Sequence, residues 1–449
     1  MIRPDRASDS RRGRLLGPWG YRAAAGLLVA LFVLQGLHSI RALSTVTDES
    51  IDIAAGYSYW TTRDARMNIE HPALIKLWLA LPLLPLRLAT PTQDQSWADH
   101  HESAFAKALL YQHPAQVGRI VLRARLPILF IGVILAVFTQ RWAAELWGPP
   151  AGLAALFLLV FDPTTIANAG LATMDLGLAA FTFISMYYLW RWLGSGRRRD
   201  GVLAGVALGC ALLSKYTALA FLPVVLAQCV IFERGFGTPG ATGRHVGLLR
   251  FVQLAGVAAA VVVAVYAAAF NWHPLLAAGG EHRMVRAALA RIPGLSGTRQ
   301  AQIVDLGQRV WVPDVETYVK GALDQRNHLI AGDPINVMGR VFARGVWYYY
   351  PLALLLKTPI PTLLLVLLRF GLRSRLPAAA AEWFLMLPAV SLVILACFST
   401  VDLGIRYLLP LYPLLFVWLS RPIALAVLGA DRVRTRSAIV PAGRAVPST

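Results

Sequence analysis

Asp48 and Glu49 are adjacent carboxylates lying directly after the first long apolar run, Tyr21 to about Leu43. A run of that length is enough to cross a bilayer, which takes about 20 apolar residues, so the pair emerges where a membrane helix meets the interface. Ionisable groups at that depth are functional candidates by default, the plain alternative being two solvated loop acids. Asp175, Lys215 and Arg406 also stand at the ends of later apolar runs. Asp175 has a structural reading as a helix cap, and Lys215 has one as a side chain snorkelling to the headgroups. Acids gathered at one interface with a lysine and an arginine suit the joining of a hydroxyl nucleophile to a sugar whose leaving group is a lipid phosphate. The hydroxyl needs a general base such as a carboxylate, typically worth about 10² to 10⁴ in rate. The phosphate needs positive charge aimed at it, and as a diester anion it departs without a dedicated proton donor.

The elements that must position these residues follow from composition. Of 449 residues, 57% are hydrophobic and 15% charged. That is more apolar material than a soluble core needs, and it falls into runs of spanning length. The expected fold is an all-α polytopic membrane protein with about ten transmembrane helices, plus interfacial helices in two large outer loops. The net charge of +19 resides in arginines clustered between apolar runs, so it reports topology rather than a nucleic-acid partner. Cys210, Cys229 and Cys397 all lie inside apolar runs without CxxC spacing, which supports neither a disulfide framework nor a zinc site.

The positive-inside rule makes the Arg-rich segment 1–20 a cytoplasmic tail. Residues 21–420 form the membrane-embedded domain, with outer segments 44–116 and 271–345, and 421–449 form a second basic cytoplasmic tail. In the first outer segment Pro72 suits the first turn of a helix. The apolar stretch 73–81 is too short to span and carries Lys76 and Trp78, which predicts a helix lying in the interface with Glu70 and His71 at its start. The second span covers about 117–144. The apolar stretch 151–160 is closed by Phe161-Asp162-Pro163, and a helix from Asp175 to about Trp192 leads to Arg197-Arg198-Arg199. The run 201–232 is too long for one helix and too short for two full crossings of a core about 30 Å thick. It predicts a hairpin of short helices turning near Ser214-Lys215-Tyr216-Thr217. A helix over about 251–270 precedes the second outer segment, which carries His328 and Asp333. The chain re-enters at an aromatic belt, 345–351, as one helix ending near Arg369, Arg373 and Arg375. The last two helices are expected at about 380–398 and 404–419, with Arg406 and Tyr407 opening the final one. Ten spans put every short basic loop on one side and every candidate polar residue on the other.

Six motifs then stand in order: Asp48-Glu49; Glu70-His71-Pro72-Ala73-Leu74; Phe161-Asp162-Pro163 with Thr173-Met174-Asp175; Ser214-Lys215-Tyr216-Thr217; Gly345 to Pro351 with Leu356-Lys357-Thr358-Pro359; and Ile405-Arg406-Tyr407-Leu408-Leu409-Pro410. In this the chain resembles the membrane glycosyltransferases of the class C fold, in particular protein O-mannosyltransferases and bacterial lipid A aminoarabinose transferases. The resemblance implies that Asp48 and Asp175 are the catalytic and acceptor-site carboxylates, with Glu49 the second acid of the mannosyltransferase pair. It places Lys215, Arg406 and Tyr407 near the donor phosphate. It makes Glu70 and His71 candidate ligands of a divalent metal. Independently of the resemblance, His328 and Asp333 are further site candidates in the second outer segment. Ser50-Ile51-Asp52 lacks the arginine of the aminoarabinose enzymes, so their substrate is not carried over.

The expected protein is a bacterial inner-membrane enzyme that moves a sugar, with inversion, from a polyprenyl-phosphate donor to an acceptor hydroxyl at the outer face. Its partners are that donor, membrane lipids and a glycan, lipid or protein acceptor. The alternative is a lipid or solute transporter or flippase, but no internal repeat is visible and the charges gather at one face rather than at the midplane. Adjacent residues in a helix diverge by about 100°, so Asp48 and Glu49 cannot both face one reacting atom. Asp48 is the expected base and Glu49 its support.

Overall fold

The computed structural model describes residues 17–112, 114–236, 244–275, 296–372 and 380–428. The N-terminal arginine cluster, Arg373, Arg375 and the tail beyond 428 lie outside these residues.

The first span, α1 (Pro18–Ala42), is followed in the first outer segment by α2 (Thr47–Thr62), α3 (Ala73–Ala80), α4 (Gln95–Ala98) and α5 (Glu102–Tyr111). Then come α6 (Val117–Trp147), α7 (Pro149–Val160), α8 (Pro163–Ala169), α9 (Asp175–Ser195), α10 (Arg198–Leu212), α11 (Leu222–Phe236) and α12 (Arg244–Ala269). The second outer segment holds α13 (Gly297–Arg309) and α14 (Val315–Ala331). The chain ends in α15 (Tyr349–Lys357), α16 (Ile360–Gly371), α17 (Ala380–Cys397) and α18 (Leu411–Leu428). Among the described residues four helices are long and apolar enough to cross a membrane, or six if each bent pair counts as one span. The chain is a multi-pass membrane protein.

The core lies where α6 meets α7, α9 and α18. Trp142 and Trp147 of α6 are fully buried, and Trp142 stands edge-on to Phe183 of α9 at 5.0 Å between centroids. Gly205 and Gly209 of α10 leave no side chain between that helix and Val257 and Val261 of α12, the close approach that small residues four apart permit in membranes. Asp162 caps α8, accepting from Thr165 N at 2.7 Å. The Phe-Asp-Pro motif therefore serves a 66° bend between α7 and α8.

The hairpin expected over 201–232 is present as α10 and α11 joined through a 3₁₀ turn, Tyr216–Phe221. Other expectations need correction. The single helix drawn from 345 to 369 is two helices meeting at 111°, because Pro359 cannot donate a backbone N–H and forces Thr358 into an extended conformation. Arg406 and Tyr407 do not open the last helix. They lie in a separate 3₁₀ turn, Ile405–Leu408, entered through Gly404 at φ +92°. The final helix continues to Leu428 instead of stopping near 419, so Arg421 is no tail residue. It is buried and paired with Glu382 of α17 at 2.8 Å, and Glu382 also pairs with buried Arg369. With its charge matched, an arginine no longer marks a helix end. The second outer segment is not purely helical either: it contains two small antiparallel ribbons, β1 (Trp272–Pro274) with β2 (Trp311–Pro313) and β3 (Ile335–Val337) with β4 (Arg340–Phe342).

Candidate active site

Asp48 and Glu49 occupy the first turn of α2, where carboxylates favour the helix dipole. The two face different ways. Glu49 is fully buried and accepts two hydrogen bonds from Arg125 of α6, at 2.6 and 2.7 Å, and one from Ala172 N at 2.8 Å. The same guanidinium donates to the carbonyls of Ile40, Leu43 and Ser44, groups that the end of α1 would otherwise leave without partners. This clasp joins α1, α2, α6 and the segment leading to Asp175, and it stands outside the cavity.

Asp48 instead faces a cavity of about 210 Å³, where its Oδ2 accepts from Arg406 Nη1 at 2.7 Å. Asp175, the first residue of α9, also lines it and accepts from Lys215 Nζ at 2.6 Å in a buried pair. The extended backbone at Lys215, just before the 3₁₀ turn, points its side chain across to α9. Lys215 Nζ lies 4.0 Å from the Tyr407 ring centroid, a cation–π distance. Four expected residues from four distant chain segments therefore meet as two acid–cation pairs, with Tyr407 against the Lys215 ammonium.

Asp52 belongs to the same wall. It stands one turn after Asp48, on the same helix face, and burial pushes its carboxyl well above the ordinary range against the opposing pull of Lys76. Glu70 and His71 line the cavity from the loop before α3. That loop is folded around the fully buried Lys76, whose ammonium donates to the carbonyls of Asn68 and His71 and to Tyr59 Oη. Burial lowers Lys76 to about 8. Burial, then Lys215 and Lys76, hold His71 well below the usual histidine value. Burial and neighbouring Glu102 raise Glu70. Among the described residues no three His, Cys, Asp or Glu side chains converge to hold a metal. The donor set at Glu70 and His71 is thus incomplete among the described residues. His328 and Asp333 close the far side, 3.0 Å apart.

Sequence reasoning passed over Asp52, Arg125 and the wall residues Asn68, Glu102 and Asp324. The four-residue spacing from Asp48 would have exposed Asp52. Arg125 stands with Arg119 and Arg123 at the start of the run 117–147, and nothing in the sequence separates the buried one from its neighbours.

Residues 112–273 match the model of the dolichyl-phosphate-mannose-protein mannosyltransferase family, a stretch that contains Arg125, Asp175 and Lys215. The crystal structure of ArnT from Cupriavidus metallidurans bound to undecaprenyl phosphate superposes with a TM-score of 0.57 at 15% identity, covering 94% of this chain and 63% of that one. The chain has a class C glycosyltransferase fold. Apo ArnT gives a TM-score of 0.53 at 14% identity over 93% of this chain and 62% of that one. The archaeal oligosaccharyltransferase AglB from Archaeoglobus fulgidus gives 0.47 at 12% identity over 96% and 53%. The chain thus spans less than two thirds of the length of these structures. No curated protein matches the sequence.

Proposed function

We propose that the protein transfers a sugar from a polyprenyl-phosphate donor to an acceptor hydroxyl, at the outer face of a bacterial inner membrane crossed about ten times. The observation that carries this reading is the pairing of Asp48 with Arg406 and of Asp175 with Lys215 around one cavity. A donor phosphate entering between the two cations competes with the carboxylates for them. Arg406 is the easier to recruit, since its partner Asp48 is half exposed while Asp175 is buried. Once Arg406 turns to the phosphate, Asp48 is left without its cation and free to accept a proton. The acceptor oxygen then attacks the anomeric carbon, the acceptor proton passes to Asp48, and the anomeric C–O bond breaks with its electron pair going to the phosphate oxygen. A single displacement of this kind inverts the anomeric centre. Asp175 orients Lys215, and the Tyr407 face keeps that ammonium in the site.

The test uses the purified full-length chain in lipid nanodiscs with a matched donor and acceptor. Asp48→Asn should abolish transfer while polyprenyl phosphate still binds. Arg406→Ala should weaken that binding by about 2 to 3 kcal/mol, or tens to hundreds-fold, the worth of a charge-assisted bond in a partly desolvated site. Near wild-type transfer by Asp48→Asn, or unchanged phosphate binding by Arg406→Ala, overturns the assignment.

A further inference from the structure

The cavity is electrically lopsided. Arg406 and Lys215 occupy one end, each matched by one carboxylate. The other end is lined by Glu70, Glu102, Asp324 and Asp333, with Asn68, Gln325 and His328 among them. His328 pairs with Asp333. Among the described residues no lysine or arginine forms an ion pair with Glu70, Glu102 or Asp324. Lys76, the nearest buried cation beneath the loop, has its ammonium bound to Asn68 and His71 carbonyls and to Tyr59.

Asn68 lies inside this wall and is only 5% exposed. Its Nδ2 donates to Glu102 Oε2 at 2.9 Å, yet its Oδ1 is buried with no hydrogen-bond partner. An unpaired buried amide oxygen is costly unless something donates to it. Unpaired carboxylates make the same demand, because they only accept. The wall therefore asks for a ligand rich in hydrogen-bond donors and free of negative charge.

The wall is held in place. Gly321 of α14 is buried, and a side chain there would run into the Ile69 carbonyl and the Tyr216 hydroxyl, so the helix backbone presses directly on the loop that carries Asn68 and Glu70. Asp324 and His328 follow at helical spacing on α14. Its C-terminal end is tied to the 399–402 turn by Thr400, whose hydroxyl donates to the Leu329 carbonyl.

We infer that Glu70, Glu102 and Asp324, grouped around Asn68, hold the ring of the transferred sugar through its hydroxyls and exclude sugars that carry an anionic group. The inference rests on the donor reading above. The phosphate sits between the cations, and a cavity of about 210 Å³, below the roughly 300–1,000 Å³ of drug-sized sites, leaves the acidic end as the place for one attached ring.

Three probes test it on the purified full-length chain in nanodiscs: polyprenyl phosphate alone, the same lipid phosphate carrying a neutral hexose, and the same carrying the corresponding hexuronic acid. The wild type should bind the hexose donor at least about tenfold more tightly than the hexuronate donor. Glu102→Gln with Asp324→Asn should shrink that ratio several-fold while affinity for the bare phosphate stays the same. Asp324→Asn alone, a surface change on α14 that breaks no observed hydrogen bond, should move the ratio in the same direction and serves if the double variant does not fold. Equal binding of the two sugars by the wild type, or a ratio unmoved by the variants, overturns the inference while leaving the donor reading intact. Failure of bare polyprenyl phosphate to bind in an Arg406-dependent way overturns both.

Discussion

Glu49 and Asp48 differ by one methylene and one position, yet the energetics assign them different work. Glu49 and Arg125 are both almost wholly buried, and removing one partner of such a pair costs about 3 to 5 kcal/mol because the other charge stays behind unmatched. Asp48 is about half exposed, and pairs of that kind contribute about 0.2 to 1 kcal/mol. Glu49→Ala should therefore lower the thermal midpoint sharply, whereas Asp48→Asn should melt like the wild type. Equal melting temperatures for Glu49→Ala and wild type would discard the clasp as a stabilising feature. The divergence of the two acids was legible from their adjacency, but which one is buried depends on Arg125, 76 residues further on. His71 gives a pH prediction. Its folded-state value is depressed by burial and nearby cations, so below about 6.5, the ordinary histidine value, the unfolded chain takes up a proton that the folded chain refuses. Stability is complete above that pH and falls as the pH drops toward the folded value. His71→Asn should flatten the decline in melting temperature between about pH 7 and pH 5; an unchanged slope would assign the acid sensitivity elsewhere.

Among the elements, α14 is held by a single buried residue, Gly321. A branched side chain there must displace the helix from the Ile69 carbonyl, and overpacking of this kind costs about 1 to 3 kcal/mol. Gly321→Val should leave the membrane bundle folded and bare phosphate binding intact, while transfer falls at least about tenfold; full activity in that variant would show that the position of α14 is immaterial. Arithmetic on element lengths found the α10–α11 hairpin, because 32 residues fit neither one crossing nor two. The same reasoning missed the break at Pro359, although Lys357-Thr358-Pro359 interrupts the apolar stretch between Tyr349 and Gly371. It also ended α18 too early, because Arg421 looks like a boundary until Glu382 is seen beside it.

For the whole molecule, the side-specific arginines of the sequence predict that Arg198 faces the cytoplasm while His328 faces outward. Both are exposed, so single cysteines at the two positions can be labelled in intact cells. Position 328 should react with an impermeant reagent at once and position 198 only after permeabilisation; the reverse pattern would turn the protein over in the membrane. The overall plan was readable because charge and hydropathy alternate along the chain. The composition of the cavity wall was not, because its residues come from both outer segments and meet only through tertiary packing. The Asp48–Arg406 contact spans 358 positions. On the ribosome, the first carboxylate of the site enters the membrane long before its arginine exists, and every intermediate length of nascent chain holds an unfinished pocket. A chain that ends before Arg406 lacks one of the two cations to which the proposed function assigns the donor phosphate, so on that reading half-made copies would not sequester polyprenyl carriers.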